Sequence, residues 1–231
     1  MPSLRKTLLI RTESDGAHED YICKCWAAAG GRLEGYHRPD GNFQGTRRGS
    51  VAIRKLNLAG DQQADLTVHG GSDKAVYVYP AEHYEYWQKQ LPEVSFSWGA
   101  FGENLTTEGL SENTLSIGDL LRAGSAILQV TQPRMPCYKL ELRFNQDDMV
   151  KRFLVSGRSG FYFSVIEPGD VEAGSEVEIL NRDTNNVTVR DILRLYLGQE
   201  DDPELLHRAM KVSSLPESWK TQLRLRAEQK V

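Results

Sequence analysis

Residues 101–134 read FGENLTTEGLSENTLSIGDLLRAGSAILQVTQPR, and this stretch decides the fold. Its apolar residues come in short runs, broken by glycine and by Asn- and Asp-containing turns at intervals of about 8–12 residues. That rhythm belongs to β-structure of the sandwich or barrel kind. The last run, SAILQVTQ, leads directly into PRMPCYKL, residues 133–140. There a lone cysteine, Cys137, follows Pro133 and Pro136 and is flanked by Arg134 and Lys139. A structural cysteine needs none of this, because buried cysteine behaves as a small hydrophobe. A thiolate does need it: nearby cations stabilise the anion and a stiff backbone aims the sulfur.

Outward from this centre the pattern stays β-rich. SVAIRKLNL, residues 50–58, alternates apolar and polar positions and reads as a half-buried strand with an irregularity near its middle. AVYVY, residues 75–79, is a β-branched and aromatic strand. Pro80 opens a helix through Leu91, with Tyr84, Trp87 and Leu91 on one face. NQDDMVKRFLVSG, residues 145–157, reads as a helix stopped by Gly157, and SGFYFSVIEPG and SEVEIL as two further strands. Near Asn181 the composition changes. NRDTNN is a polar hinge, after which Thr188 caps one helix and Pro203 and Pro216 open two more. The expected organisation is an N-terminal segment 1–48, a β domain 49–181 and a three-helix unit 186–229. Those helices either dock a partner or cover the β domain.

Bulk composition narrows the function classes. The chain has 231 residues, 39% hydrophobic and 26% charged, with a formal net charge of −4. Whole-surface binding to a nucleic acid polymer or an anionic membrane is not expected from that balance. No apolar run approaches the roughly 20 residues of a membrane span. Three cysteines, Cys23, Cys25 and Cys137, make no disulfide framework and suit a reducing, cytoplasmic compartment, with an organellar address left open. Cys23 and Cys25 form C-x-C without a second pair, a poor zinc site.

Four groups of residues can carry chemistry. In ADLTVHGGSDK, Asp65, Thr67 and His69 share a face of an extended strand, Gly70 and Gly71 give close backbone access, and Lys74 adds a cation. Such a pair handles protons or orients a ligand, or is a satisfied surface pair beside a turn. Glu103 and Asn104 follow Phe101-Gly102, and spacing alone favours a loop acid and a turn asparagine. Cys137 is a nucleophile, a metal ligand or an inert thiol. Arg152, Arg158 and the loop from Gly157 to Gly160 either bind a phosphate-type anion or are solvated arginines at a helix end. A cysteine hydrolase would need a base such as His69 or His83 against the sulfur. One soft ligand among cations suits a large anionic cofactor whose metal takes a single thiolate.

Four segments in order, LNLAGDQQADLTVHGGSDKAVYVYPAEHYEYW, FGENLTTEGL, IGDLLRAGSAILQVTQPRMPCYKL and FNQDDMVKRFLVSGRSGFYFSV, resemble the MOSC domain family in its YiiM-type branch. The tail from Val187 resembles the three-helix segment of that branch. The resemblance covers roughly residues 50–228 but not the first 48, where the family's usual opening strand has only weak echoes. It implies a mainly β fold with added helices: a distorted β-barrel of the pyruvate-kinase-barrel type with a small C-terminal three-helix appendage. It implies a molybdenum cofactor of the molybdopterin type, with Cys137 as the metal ligand. Asp65 and His69 are then implied as proton carriers, and Gly70, Gly71, Lys74, Glu103, Asn104, Arg134, Lys139, Arg152 and Arg158 as the cofactor's surroundings. The implied reaction reduces N-hydroxylated compounds, such as 6-hydroxylaminopurine, to amines and so detoxifies hydroxylated bases. A separate flavoprotein would supply electrons, since the chain shows no nucleotide loop or iron–sulfur cysteine set. The alternative is a carrier that holds cofactor or a persulfide on Cys137 without turnover. The oligomeric state stays open.

Overall fold

The computed structural model describes residues 5–7, 50–56, 58 and 71–228. Asp65, His69, Gly70, Cys23 and Cys25 therefore lie outside the described residues. The elements in chain order are β1 (Arg5–Thr7), β2 (Val51–Ile53), a 3-10 turn (Ser72–Lys74), β3 (Val76–Pro80), α1 (Glu82–Gln90), β4 (Leu105–Thr107), β5 (Leu120–Ala123) and β6 (Ala126–Pro133). There follow α2 (Lys139–Phe144), α3 (Met149–Ser156), β7 (Phe161–Glu167), β8 (Gly169–Val171), β9 (Glu176–Asn181), α4 (Val189–Leu197), α5 (Pro203–Lys211) and α6 (Glu217–Glu228). Among the described residues, no helix is long and apolar enough to cross a membrane.

Seven strands form one curled, half-barrel mixed sheet in the order β1-β9-β5-β6-β7-β3-β4, and β2 pairs with β8 in a second small sheet. All neighbours are antiparallel except β3 and β4. The turn-punctuated stretch 101–134 supplies β4, β5 and β6, as its rhythm requires. Residues 50–58 behave differently from a single strand. Pairing stops at Ile53, the chain bends, and Leu58 comes back to bridge Ile53, leaving Leu56 half exposed.

Strand β3 organises the interior. All five of its residues are buried, so it is covered on both faces. Because side chains alternate across a strand, Val76 and Val78 point into the main core while Tyr77 and Tyr79 enter a second, aromatic cluster. That cluster contains Tyr84 and Trp87 of α1, Phe101, Phe144 of α2, and Met149 and Phe153 of α3. Its rings meet tilted or edge-on as well as stacked, with Tyr79 and Phe101 centroids 4.5 Å apart. Fully burying a side chain of this size is worth about 1.5–3 kcal/mol.

The three C-terminal helices share the main core. Val189, Ile192, Leu205, Ala209, Trp219 and Leu223 belong to the same apolar cluster as Val130 and Phe163 of the sheet. Thr188 caps α4 with a full capping box closed by Asp191. The segment leading into α4 is stitched to residues 112–117 by backbone bonds: Ile117 N–H to Val187 O at 2.8 Å, Val189 N–H to Leu115 O at 3.0 Å, and Arg190 N–H to Glu112 O at 2.9 Å. Of the two roles open to these helices in sequence, the structure shows them covering the sheet.

Asp119 anchors this junction. Wholly buried, its carboxylate accepts from the Ser116 N–H (3.0 Å), the Asp183 N–H (2.9 Å) and Arg182 Nη1 (2.6 Å). Asp119→Ala strands both N–H groups. We expect a loss of about 2–3 kcal/mol, seen as a lower urea midpoint with an unchanged denaturant slope. A midpoint equal to wild type would show that water replaces the carboxylate there.

Candidate functional site

The site forms where β6 ends. Pro133 is the last residue of the strand, and its ladder with β7 still holds there, pairing Pro133 with Phe161. Pro136 limits the backbone before Cys137, and α2 then starts at Lys139 with the Leu140 N–H bonded to the Cys137 carbonyl at 3.0 Å. Asn145 closes α2 in the left-handed conformation. The alternation Lys-Leu-Glu-Leu-Arg-Phe at 139–144 hides this helix from a periodicity reading. Cys137 is a half-buried free thiol between strand end and helix start.

Arg134 is the principal cation of the site. Its guanidinium lies 5.2 Å from the Tyr77 ring centroid and 5.1 Å from that of Phe153. Nη1 is sealed from solvent and has no hydrogen-bond partner among the described residues. Burial opposes the charge of Arg134. The neighbouring Tyr77 and Tyr162 hydroxyls, the Cys137 thiol and Tyr79 outweigh that, and the net shift of the guanidinium is upward. The arginine is thus charged, and its Nη1 is short of one acceptor among the described residues.

The surrounding walls are fixed by hydrogen bonds. The Tyr77 hydroxyl donates to the Ser159 carbonyl at 3.0 Å, and the Tyr77 and Tyr162 ring centroids are 5.1 Å apart. Trp87 Nε1–H donates to the Tyr79 hydroxyl at 2.7 Å. Gly160 has φ +63°, and an added Cβ would lie 2.5 Å from the Val78 carbonyl oxygen and 2.8 Å from the Tyr77 and Tyr79 rings, so only glycine fits the corner. Thr131 Oγ1 lies 2.6 Å from the Asp73 carbonyl oxygen and 3.0 Å from that of Tyr162, tying the Gly71–Lys74 turn to the strand that carries Arg134.

The remaining residues singled out in sequence fall into three places. Gly71 is exposed, and no atom lies within 4 Å of where its Cβ would be; Lys74 and Lys139 are half buried. Glu103 and Asn104 are almost wholly buried and hold backbone. Glu103 accepts from the N–H groups of Gly99 (3.0 Å) and Phe101 (3.1 Å), from Thr106 Oγ1 (3.1 Å) and from the Tyr84 hydroxyl. Asn104 exchanges two bonds with Tyr77: its Oδ1 accepts from the Tyr77 N–H (2.7 Å), and its N–H donates to the Tyr77 carbonyl (2.8 Å). Arg152 pairs with Asp148 at 2.8 Å on the exposed side of α3. Arg158 lies 3.7 Å over the Tyr86 ring and donates to the Ser156 carbonyl at 3.2 Å. The sequence reading missed Tyr77, Phe153 and Tyr162. Only the alternation of AVYVY hinted at them, by putting tyrosines on one face.

Comparison with known proteins follows the same outline. A model of the MOSC domain matches residues 65–178, and a model of the YiiM-like 3-alpha helix domain matches residues 187–229. Protein YiiM of Escherichia coli (strain K12) is 40% identical over 173 residues, covering 74% of this chain and 77% of that protein. The crystal structure of YiiM from Escherichia coli superposes with a TM-score of 0.71 at 32% identity, over 92% of this chain and 94% of that one. A Gibberella moniliformis protein named "Reductase" is 33% identical over 161 residues, which make up 68% of this chain and 28% of that longer protein.

The buried phenols give a pH test. Burial raises Tyr77 and Tyr79 well above the ordinary 10.0; Arg134 pulls Tyr77 down without cancelling this, and Tyr77 raises Tyr79 further. Unfolded phenols ionise near 10, so above about pH 10 the unfolded state binds fewer protons than the folded one and stability falls as pH rises. Below about pH 10 their contribution is fully present. Unfolding free energy measured from about pH 10 to pH 11.5 should fall with a slope shallower by up to one proton in Tyr77→Phe than in wild type. Equal slopes would mean that the Tyr77 phenol ionises as freely folded as unfolded.

Proposed function

The chain belongs to the MOSC domain family, in the branch that carries a YiiM-like three-helix domain, and from that premise we propose that it is a molybdenum-cofactor-dependent oxidoreductase reducing N-hydroxylated compounds, 6-hydroxylaminopurine-type bases among them, to amines. MOSC domains are associated with molybdenum cofactor in general. A protein named as a reductase shares this fold region.

The observation that carries the reading is the pairing of Cys137 with Arg134. A buried guanidinium nitrogen without an acceptor calls for an anion, and the half-buried sulfur beside it is a soft metal ligand. Arg134 would take the anionic part of the cofactor, and Cys137 would give its metal one thiolate. Among the described residues no three His, Cys, Asp or Glu side chains gather as a metal site, so further ligands would come from the cofactor itself. The surroundings fit the group. When bound, the cofactor supplies a two-electron metal centre that accepts oxygen from an N–OH bond.

The chain's own residues do the rest. Lys74, in the turn that Thr131 ties to β6, and Lys139, at the start of α2, would add positive charge. Tyr77 and Phe153 wall the guanidinium, and its Nη1 is sealed from solvent. Asp65 and His69, on the adjoining segment, would deliver the proton that the departing oxygen needs. A separate flavoprotein would return electrons after each turnover.

The test is reduction of 6-hydroxylaminopurine by cofactor-loaded protein with an artificial electron donor, alongside molybdenum analysis. Wild type should turn over and carry molybdenum. Cys137→Ala should do neither, and Arg134→Ala should retain the cofactor at least about tenfold less well. Equal turnover by wild type and Cys137→Ala would end the ligand assignment. Molybdenum held without turnover on any N-hydroxylated compound would make the chain a carrier.

A further inference from the structure

Glu112 lies outside the motifs that carry the family resemblance to the cofactor site, yet its carboxylate is 2% exposed and fully engaged. Oε1 accepts from the Gly160 N–H at 2.7 Å. His83 Nε2, on α1, lies 3.0 Å from Oε1 and 2.9 Å from Oε2. The Glu112 carbonyl accepts from the Arg190 N–H at the start of α4. One residue thus joins a sheet-side helix, the Ser159–Gly160 corner and the C-terminal helices.

That corner faces Arg134. The Gly160 carbonyl accepts from the Arg134 N–H at 3.4 Å, and the Ser159 carbonyl accepts from the Tyr77 hydroxyl, whose ring carries the guanidinium. The Arg190 side chain closes the other end of the same loop. Its Nη1 lies 3.4 Å from the Ser156 carbonyl, and the guanidinium occupies the space over Gly157, 1.2 Å from where a Cβ would be. The loop 156–160 is therefore held at Gly160 by Glu112 and at Gly157 by Arg190, and it has little freedom except as these two allow.

We infer that Glu112 is a positioning residue for Arg134: by clamping Gly160 it sets the height of the Tyr77 ring and hence where the guanidinium meets an anionic ligand. Through the Arg190 bond, the three-helix domain belongs to the same clamp. The inference rests on the reading that Arg134 faces the cofactor, but its first readout does not need the cofactor.

In apo protein, the Arg134 Nε–H resonance should carry a ring-current shift from Tyr77 and Phe153, assignable by its disappearance in Arg134→Lys. Glu112→Asp keeps the charge but draws the carboxylate back by one methylene, so it cannot hold Gly160 and His83 together. It should lose at least half of that shift, while the Trp219 indole resonance stays in place as a control on the fold. Glu112→Gln still accepts from the Gly160 N–H and should keep the shift. In loaded protein, Glu112→Asp should weaken cofactor retention by roughly 10–100-fold, as for other residues that orient a ligand from behind. A folded Glu112→Asp protein with an unmoved Arg134 resonance would overturn the inference. A moved resonance with unchanged cofactor retention would leave the clamp standing and instead count against Arg134 as a cofactor contact.

Discussion

A guanidinium packed against two aromatic rings, with one nitrogen sealed from water, is the constraint from which the rest of this structure follows. Each ring attracts the cation by about 0.5–2 kcal/mol, which does not offset the cost of sealing part of a charge from water. The sealed Nη1 has no hydrogen-bond partner among the described residues. A group of that kind persists when the surrounding core fixes it and when function benefits from it. Here the core is the aromatic cluster under α1, α2 and α3, and the proposed benefit is an anion site next to a thiol.

Strand β3 makes that placement possible. With valines to one side and tyrosines to the other, it serves two cores at once, and its hydrogen bonds are arranged to suit. On one edge it pairs with β7, which brings Tyr162 against Tyr77. On the other it runs parallel to β4, a pairing that begins with the two bonds between Asn104 and Tyr77. Glu103 folds the loop before it by accepting from two backbone N–H groups and two hydroxyls. The Gly-Glu-Asn stretch resembles a ligand-binding motif in sequence. In the fold it staples the Tyr77 backbone into the sheet.

The C-terminal helices extend the same logic. A three-helix unit of this length has too little apolar surface to be stable alone, and it solves the problem by joining the core of the sheet. Backbone bonds at Val187, Val189 and Arg190 fix its start on the 112–117 segment, and Arg190 then reaches the loop beside Gly157. Covering the sheet and steadying the 156–160 loop are therefore one structural task.

Sequence alone determined a good deal. The turn rhythm of 101–134, the cap at Thr188, the opening at Pro203 and the stop at Gly157 are local effects that act through a few neighbouring residues, so they were legible. The isolated basic setting of Cys137 was legible for the same reason. What only the tertiary structure decided depended on contacts distant along the chain. Arg134 meets Phe153 and Tyr77 only because β6, β7 and β3 lie side by side, and Arg152 and Arg158, close in sequence to that site, turn instead to Asp148 and Tyr86. Period and spacing say which face of an element a side chain takes. Which partner waits on that face is fixed by packing, and packing is settled by the whole chain at once.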